Sequence, residues 1–124
     1  MSQPRAYEDW SSDPHARWID AGNTFGWHLF GAARDYALKR ISKDSSAEAR
    51  AAAERAALDA IYGMMMLLDG VAPADSGTAR IEYVLLARVI PQGPDSRPEL
   101  VELSPDGDGL CMGFQGWVAG DFGA

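Results

Sequence analysis

The stretch Ile61-Tyr62-Gly63-Met64-Met65-Met66-Leu67-Leu68-Asp69-Gly70 decides the fold of this chain. It is almost wholly apolar, and it closes an alanine-rich segment that begins at residue 47. Alanine has the highest helix propensity, and apolar residues recur here at helical spacing. One apolar stripe results: Leu58, Ile61, Tyr62, Met65 and Leu68. We therefore predict one helix over residues 46–69, with this stripe facing a sheet and Gly70 as its C-terminal cap.

Three further details of this segment concern its N-terminal cap, its glycine and its methionines. Ser45 and Glu48 have the spacing of a capping box at the N-terminus of the helix. Gly63 costs about 1 kcal/mol relative to alanine inside a helix, which the close approach of a neighbouring element would explain. The run Met64-Met65-Met66 points around more than half of the helix, so at least one methionine leaves the core face. Two environments are open for that methionine: ordinary core packing, or a contact within an oligomer.

An earlier helical pattern runs from Asp13-Pro14 toward Ile41. Asp is a favourable N-cap, and Pro is tolerated at the first helical position. Gly22-Asn23 and Gly26 interrupt the pattern. Either one kinked helix or two helices, the second capped by Thr24, fits these residues.

The pattern changes from helical to strand-like after Gly70. Residues 79–90 alternate between apolar and mixed positions, which predicts a long strand. Residues 100–103 and 110–112 read as two further strands, joined by a turn at Asp106-Gly107-Asp108-Gly109. The predicted fold class is α+β, with N-terminal helices packed on a small antiparallel β-sheet of three or more strands.

The length of 124 residues indicates a single domain over 1–124. We divide it into a loose lead-in (1–12), a helical part (13–70), and a β-meander with a glycine- and aromatic-rich tail (78–124). No apolar run is long enough for a transmembrane helix, and no signal peptide is visible. Cys111 is the only cysteine, so no internal disulfide is possible and a cytoplasmic location is the simplest expectation.

The net charge of −7 is concentrated in residues 44–124, which carry thirteen Asp or Glu against five Arg. An acidic chain repels phosphate backbones, so we expect no nucleic acid as a partner. The same charge attracts a basic protein partner, although it also serves solubility alone.

The sequence contains few groups for catalysis or metal binding. His15, His28 and Cys111 do not have the close spacing of a metal site, and the patterns Cys-x-x-Cys and His-Glu-x-x-His are absent. The phosphate-loop motif G-x-x-x-x-G-K-[ST] and the nucleophile motif G-x-S-x-G are absent as well. Asp106-Gly107-Asp108-Gly109 lacks the later ligands of a calcium loop. We therefore expect no catalytic residues, no cofactor and no metal.

Several large apolar residues exceed what one helical layer on a small sheet can hide. These candidate interface residues are Trp18, Trp27, Phe30, Met64 and Trp117. They predict a homodimer, most simply with two-fold symmetry.

The helix end Leu68-Asp69-Gly70, the strands after it, and the closing run Leu110-Cys111-Met112-Gly113-Phe114-Gln115-Gly116-Trp117 resemble a loose group of small uncharacterised bacterial proteins. That group is associated with the immunity proteins of bacterial polymorphic-toxin systems. Its members often carry His-Glu where this chain has Cys111-Met112, so no site is carried over at those positions. The resemblance implies a small acidic protein that acts by binding.

Two functions from different classes follow. The first is a non-enzymatic protein-interaction domain, immunity-like, that binds a basic partner. The alternative is a small enzyme or ligand-binding protein with a pocket between the helices and the sheet. The lack of convergent catalytic groups favours the first.

Overall fold

The computed structural model describes residues 3–72 and 75–123. Its helices are α1 (Pro14–Leu29), α2 (Asp35–Lys39), α3 (Ala47–Leu68) and α4 (Leu110–Val118), and its strands are β1 (Asp75–Ser76), β2 (Ala79–Arg80), β3 (Leu86–Val89) and β4 (Glu99–Glu102). Short 3-10 turns occupy Tyr7–Asp9 and Pro105–Gly107. The α+β class is confirmed. No helix of the described ranges is both long enough and apolar enough to cross a membrane.

The N-terminal helical region is continuous from Pro14 to Lys39, which decides between the two alternatives. The Asp13 carboxylate accepts a hydrogen bond from the His15 N–H at 3.1 Å, so the predicted start is confirmed. Thr24 caps no second helix, because its hydroxyl donates to the Asp20 carbonyl one turn earlier. The departure from α-geometry is a π-helical turn at Phe30–Arg34, which joins α1 to α2.

Helix α3 confirms the prediction of one helix over residues 46–69, with two corrections. Its N-cap is Ser46, whose hydroxyl accepts from the Ala49 N–H at 3.1 Å, rather than Ser45. Its apolar stripe packs against α4 and not against a sheet, with the Tyr62 and Phe114 rings 5.1 Å apart. Gly70 ends the helix at φ +72°, as expected of a C-terminal glycine.

The explanation predicted for Gly63, the close approach of a neighbouring element, is wrong. A Cβ added at this position would meet nothing within 4 Å, so no neighbouring element approaches it closely. The structure gives no reason for the glycine.

The strands are shorter than predicted, and they form two sheets instead of one. The long strand over residues 79–90 is divided into β2 and β3, and the sheets β1–β2 and β3–β4 have two antiparallel strands each. The third strand predicted at residues 110–112 is wrong, because these residues form the first turn of α4. Within the described ranges, neither sheet therefore reaches three strands.

The hydrophobic core lies where α1 and its π-helical turn meet α4. Phe30 contacts three aromatic rings edge-on, those of Phe114, Trp117 and Phe122, with centroids 5.7 to 6.4 Å apart. Edge-to-face packing is the favourable arrangement for aromatic quadrupoles. Aromatic residues from the first helical region and from the C-terminal part of the chain therefore form one core, and the β3–β4 pair lies beside it.

Candidate binding groove beside the β3 edge

A cavity of about 600 Å³ lies between α1, the N-terminal segment 3–10 and β3. We call it the edge groove. Ligand sites in proteins commonly have volumes of about 300–1,000 Å³. Its lining consists of Gln3, Pro4, Arg5, Ala6, Tyr7, Trp10, Ala21, Thr24, Phe25, Trp27, His28, Leu85, Leu86, Ala87, Arg88, Val89 and Leu103. The groove thus occupies the position between helix and sheet where the alternative prediction placed a pocket.

One wall of the edge groove is a single face of α1. Ala21, Thr24, Phe25 and His28 follow one another at intervals of three, one and three residues. This spacing places side chains one above another along a helix. The wall is therefore a straight row about two turns long, and it suits an extended ligand better than a round one.

The opposite wall is the chain of β3, because all residues from Leu85 to Val89 line the groove. Ala87 pairs with Val101 and Arg88 pairs with Leu100 across the β3–β4 ladder. The Leu103 N–H donates to the Leu85 carbonyl at 2.9 Å, which makes residues 85 and 103 a hydrogen-bonded pair.

In an antiparallel ladder, hydrogen-bonded pairs alternate with pairs whose N–H and C=O groups point outward. Since residue 85 belongs to a hydrogen-bonded pair, the backbone groups of Leu86 and Arg88 point away from β4. They find no backbone partner in the described part of the chain. The edge of β3 that borders the groove is therefore unpaired.

The third wall is held in place by an ion pair between Arg17 and Glu99. The Arg17 guanidinium donates to both Glu99 carboxylate oxygens, at 2.7 and 2.8 Å, and to the Ser11 carbonyl at 2.9 Å. The Tyr7 hydroxyl donates to Glu99 Oε1 at 2.7 Å. Arg17 also lies over the rings of Tyr7 and Trp10, 5.1 and 5.6 Å from their centroids. These contacts tie the N-terminal segment to α1 and β4.

The hydrogen bonds from Arg17, and then the one from Tyr7, lower the pKa of Glu99 from 4.5 to about 2. Glu99 is consequently ionised at neutral pH. A bidentate charge-assisted pair of this kind has a defined geometry. The N-terminal wall is thus positioned by the fold, although most of its residues are polar and outside regular structure.

The face of the β3–β4 pair that points away from the core is exposed and partly apolar. Leu86 and Leu100 are 53% and 60% exposed on this face, and Tyr83 and Val84 just before β3 are also exposed. Glu102 is exposed beside them. A surface with apolar centres and charged neighbours is typical of protein contacts.

A separate buried cluster centres on Asp69, directly after α3. Its carboxylate accepts from the Leu110 N–H at 3.2 Å, from the Cys111 N–H at 2.7 Å and from the Ser104 hydroxyl. Asp69 therefore caps α4 from a distant part of the chain, because Gly109 at the N-cap position has no side chain to do so. These hydrogen bonds hold the start of α4 against the end of α3.

The potentially reactive side chains are not brought together. His15 is exposed at the start of α1, His28 lies at the edge groove, and Cys111 lies at the start of α4. Burial, and then the hydrogen bond with Asp69, raise the pKa of the Cys111 thiol to about 11. Among residues 3–72 and 75–123, no group of three or more His, Cys, Asp or Glu could hold a metal ion.

The five candidate interface residues divide into three locations. Phe30 and Trp117 are each 2% exposed and belong to the core, so a partner cannot reach them in this fold. Trp18 and Trp27 are half-buried, and Trp27 lines the edge groove. Met64 is 57% exposed on α3, whereas Met65 is fully buried.

Sequence reasoning gave a pocket between helices and sheet only as an alternative, and of the groove lining it named only Trp27 as a candidate residue. The face of α1 was visible as a periodic pattern, and residues 79–90 were recognised as strand-like. The predicted order of strands also leaves the outer edge of the 79–90 strand unpaired, but no local pattern places α1 and the N-terminal segment beside that edge.

Comparison of the chain with protein-family models, with curated proteins and with solved structures finds no match. The groove is therefore interpreted from its own geometry.

Proposed function

We propose that this chain is a non-enzymatic protein-interaction domain, which binds an extended segment of a partner protein along the free edge of β3. One observation carries the proposal: the outward backbone groups of Leu86 and Arg88 border the edge groove without a backbone partner in the described residues. A partner strand would satisfy these groups by the ladder hydrogen bonds of strand addition.

The energetics of the sheet support this. A two-stranded pair is marginal by itself and gains from a third strand. Exposed strand edges are usually covered or blunted in folded proteins, because they pair with other chains. Here the edge borders a groove whose opposite wall, the face of α1, is already in place. A segment in the groove would bury apolar surface of Phe25 and Leu86 while extending the sheet.

The overall charge of −7 favours a partner that is basic as a whole, because opposite net charges speed the approach of two proteins. This agrees with the immunity-like resemblance, which also implies action by binding. The homodimer stays a prediction beside it. Sedimentation equilibrium over a wide concentration range tests it, and a single species at the monomer mass throughout would contradict it.

The test of strand addition begins with a displayed library of random twelve-residue peptides, selected on the purified chain. Amide hydrogen exchange of the selected complex should then show new protection at Leu86 and Arg88. Failure to select any peptide, or protection confined to other residues, would overturn the proposal.

A pair of leucine-to-proline variants sharpens the test. Leu86→Pro removes an N–H that points into the groove, whereas Leu100→Pro removes an N–H that points to the opposite edge of the same pair of strands. Proline is tolerated at such outward edge positions. We expect at least tenfold weaker peptide binding for Leu86→Pro and near-normal binding for Leu100→Pro. Equal affinities would instead indicate a ligand held by side chains alone, as in the alternative of a small-ligand pocket.

A further inference from the structure

The charge inside the edge groove is opposite to the charge of the chain. The chain carries 18 Asp or Glu against 11 Lys or Arg. The groove lining nevertheless includes Arg5, His28 and Arg88 and contains neither Asp nor Glu. Every charged residue of the groove lining is therefore basic, although the protein as a whole is acidic.

The basic residues near the groove differ in how free they are. Arg17 is engaged with Glu99, and Arg5 lies 3.7 Å from an Asp20 oxygen. Arg88 has no ion-pair partner within the described residues. It is exposed in the middle of the edge strand, at one of the two positions whose backbone groups point into the groove. Arg88 is thus the cation most available to a bound segment.

The register of β3 fixes what a neighbouring strand would present. Side chains of adjacent strands that lie directly opposite share one face of the sheet. Leu86 and Arg88 point to the exposed face, while Ala87 points inward with its neighbour Val101. A partner residue beside Ala87 would consequently point toward the core side, and residues beside Leu86 and Arg88 would remain on the outer face.

From this arrangement we infer that the edge groove selects an extended peptide segment with a carboxylate side chain opposite Arg88 and apolar side chains opposite Leu86 and Ala87. The inference rests on the proposed strand addition and specifies its ligand. An acidic segment within a basic partner is consistent with both charges, since net charge acts at long range and Arg88 acts at contact distance.

The test uses synthetic variants of a peptide selected on the wild-type chain. Each position of the peptide is replaced in turn by Glu, Gln or Lys, and dissociation constants are measured at low and at 0.5 M salt. We expect one position at which Glu binds about two- to fivefold more tightly than Gln, the range of an exposed ion pair. Lys at that position should bind more weakly than Gln, and high salt should reduce these differences.

A charge swap identifies the residue responsible. The variant Arg88→Glu should reverse the preference at that one position, so that Lys exceeds Gln and Gln exceeds Glu. Its matched control is Arg97→Glu, an identical charge change at an exposed residue that does not line the groove. The control should keep the preference for Glu.

The outcomes separate the two proposals. Peptides that protect the β3 edge but bind equally well with Glu, Gln or Lys at every position would overturn the charge inference and leave strand addition standing. A preference that persists in Arg88→Glu would also overturn it. If no peptide binds the edge, strand addition and the charge inference both fail.

Discussion

Removal of the Asp69 carboxylate is the most direct test of how this fold is held together. Asp69 is 7% exposed and accepts hydrogen bonds from three donors, two of them backbone N–H groups at the start of α4. In Asp69→Ala, the Leu110 and Cys111 N–H groups lose their acceptor. The Ser104 hydroxyl, which is also buried, loses its partner as well.

The size of the effect follows from these donors. A buried polar group left without a partner costs about 1–3 kcal/mol, and loss of an N-cap costs about 0.5–2 kcal/mol. Together these costs are about 1.5–5 kcal/mol. Water can reach the half-buried Cys111, and the Ser104 hydroxyl can rotate, so we take the middle of this range and not its upper end, about 3 kcal/mol. For a domain of this size each kcal/mol lowers Tm by about 4 °C. The expected decrease in Tm is therefore about 12 °C.

Thermal and urea unfolding of matched variants measure this decrease. Asp69→Asn keeps one acceptor oxygen and should lose about half as much stability as Asp69→Ala. Asp59→Ala is the control, because Asp59 is exposed on the same stretch of chain and should change the free energy of unfolding by less than about 0.5 kcal/mol. A loss below about 1 kcal/mol in Asp69→Ala would refute the idea that this carboxylate anchors α4.

Three further predictions concern packing, pH and reactivity. Gly26→Ala should destabilise the protein by about 1–3 kcal/mol, because its Cβ would lie 2.7 Å or less from ring atoms of the Trp117 indole. Gly22→Ala, with nothing within 4 Å, should stabilise α1 by about 0.5–1 kcal/mol in the same unfolding assay. Because the folded pKa of Glu99 is lowered to about 2, chiefly by Arg17, its contribution to stability is present above pH 4.5 and is lost as the pH falls toward 2. The stability of Glu99→Gln should therefore fall less over that interval, and parallel acid titrations would contradict this. The pKa of the Cys111 thiol is raised to about 11, so this residue should react slowly with iodoacetamide at pH 8. The reaction rate should still rise above pH 10, and a rate that levels off near pH 9 would contradict the prediction.

The parts of the fold that the sequence predicted are those decided by local interactions. Helix α3 was predicted within one residue at each end, because alanine content, the apolar stripe and Gly70 all act over a few residues. The helix start at Asp13-Pro14 was predicted from residues that are equally close in sequence. The continuity of α1 through Gly22 and Gly26 was not decidable from the sequence, because the space for Gly26 is filled by Trp117, which lies 91 residues away.

Two of the errors share a single cause. Leu110-Cys111-Met112 is apolar and short, so its pattern fits a strand or a buried helix equally well. The deciding contact is the Asp69 carboxylate, which lies 41 and 42 residues before the N–H groups that it accepts. No window of local sequence contains both partners. The prediction that α3 faces a sheet was wrong for the same reason, since the element beneath α3 is α4.

The free edge of β3 is independent of this error. The predicted hairpin would place residues 110–112 beside β4, on the side away from β3, so the outward backbone groups of Leu86 and Arg88 are unpaired in either arrangement. Anchoring of α4 by Asp69 and availability of the β3 edge are thus separate properties of the fold. We therefore expect Asp69→Ala to reduce stability while its folded form binds a selected peptide with near-normal affinity, whereas Leu86→Pro should reduce binding with a far smaller loss of stability.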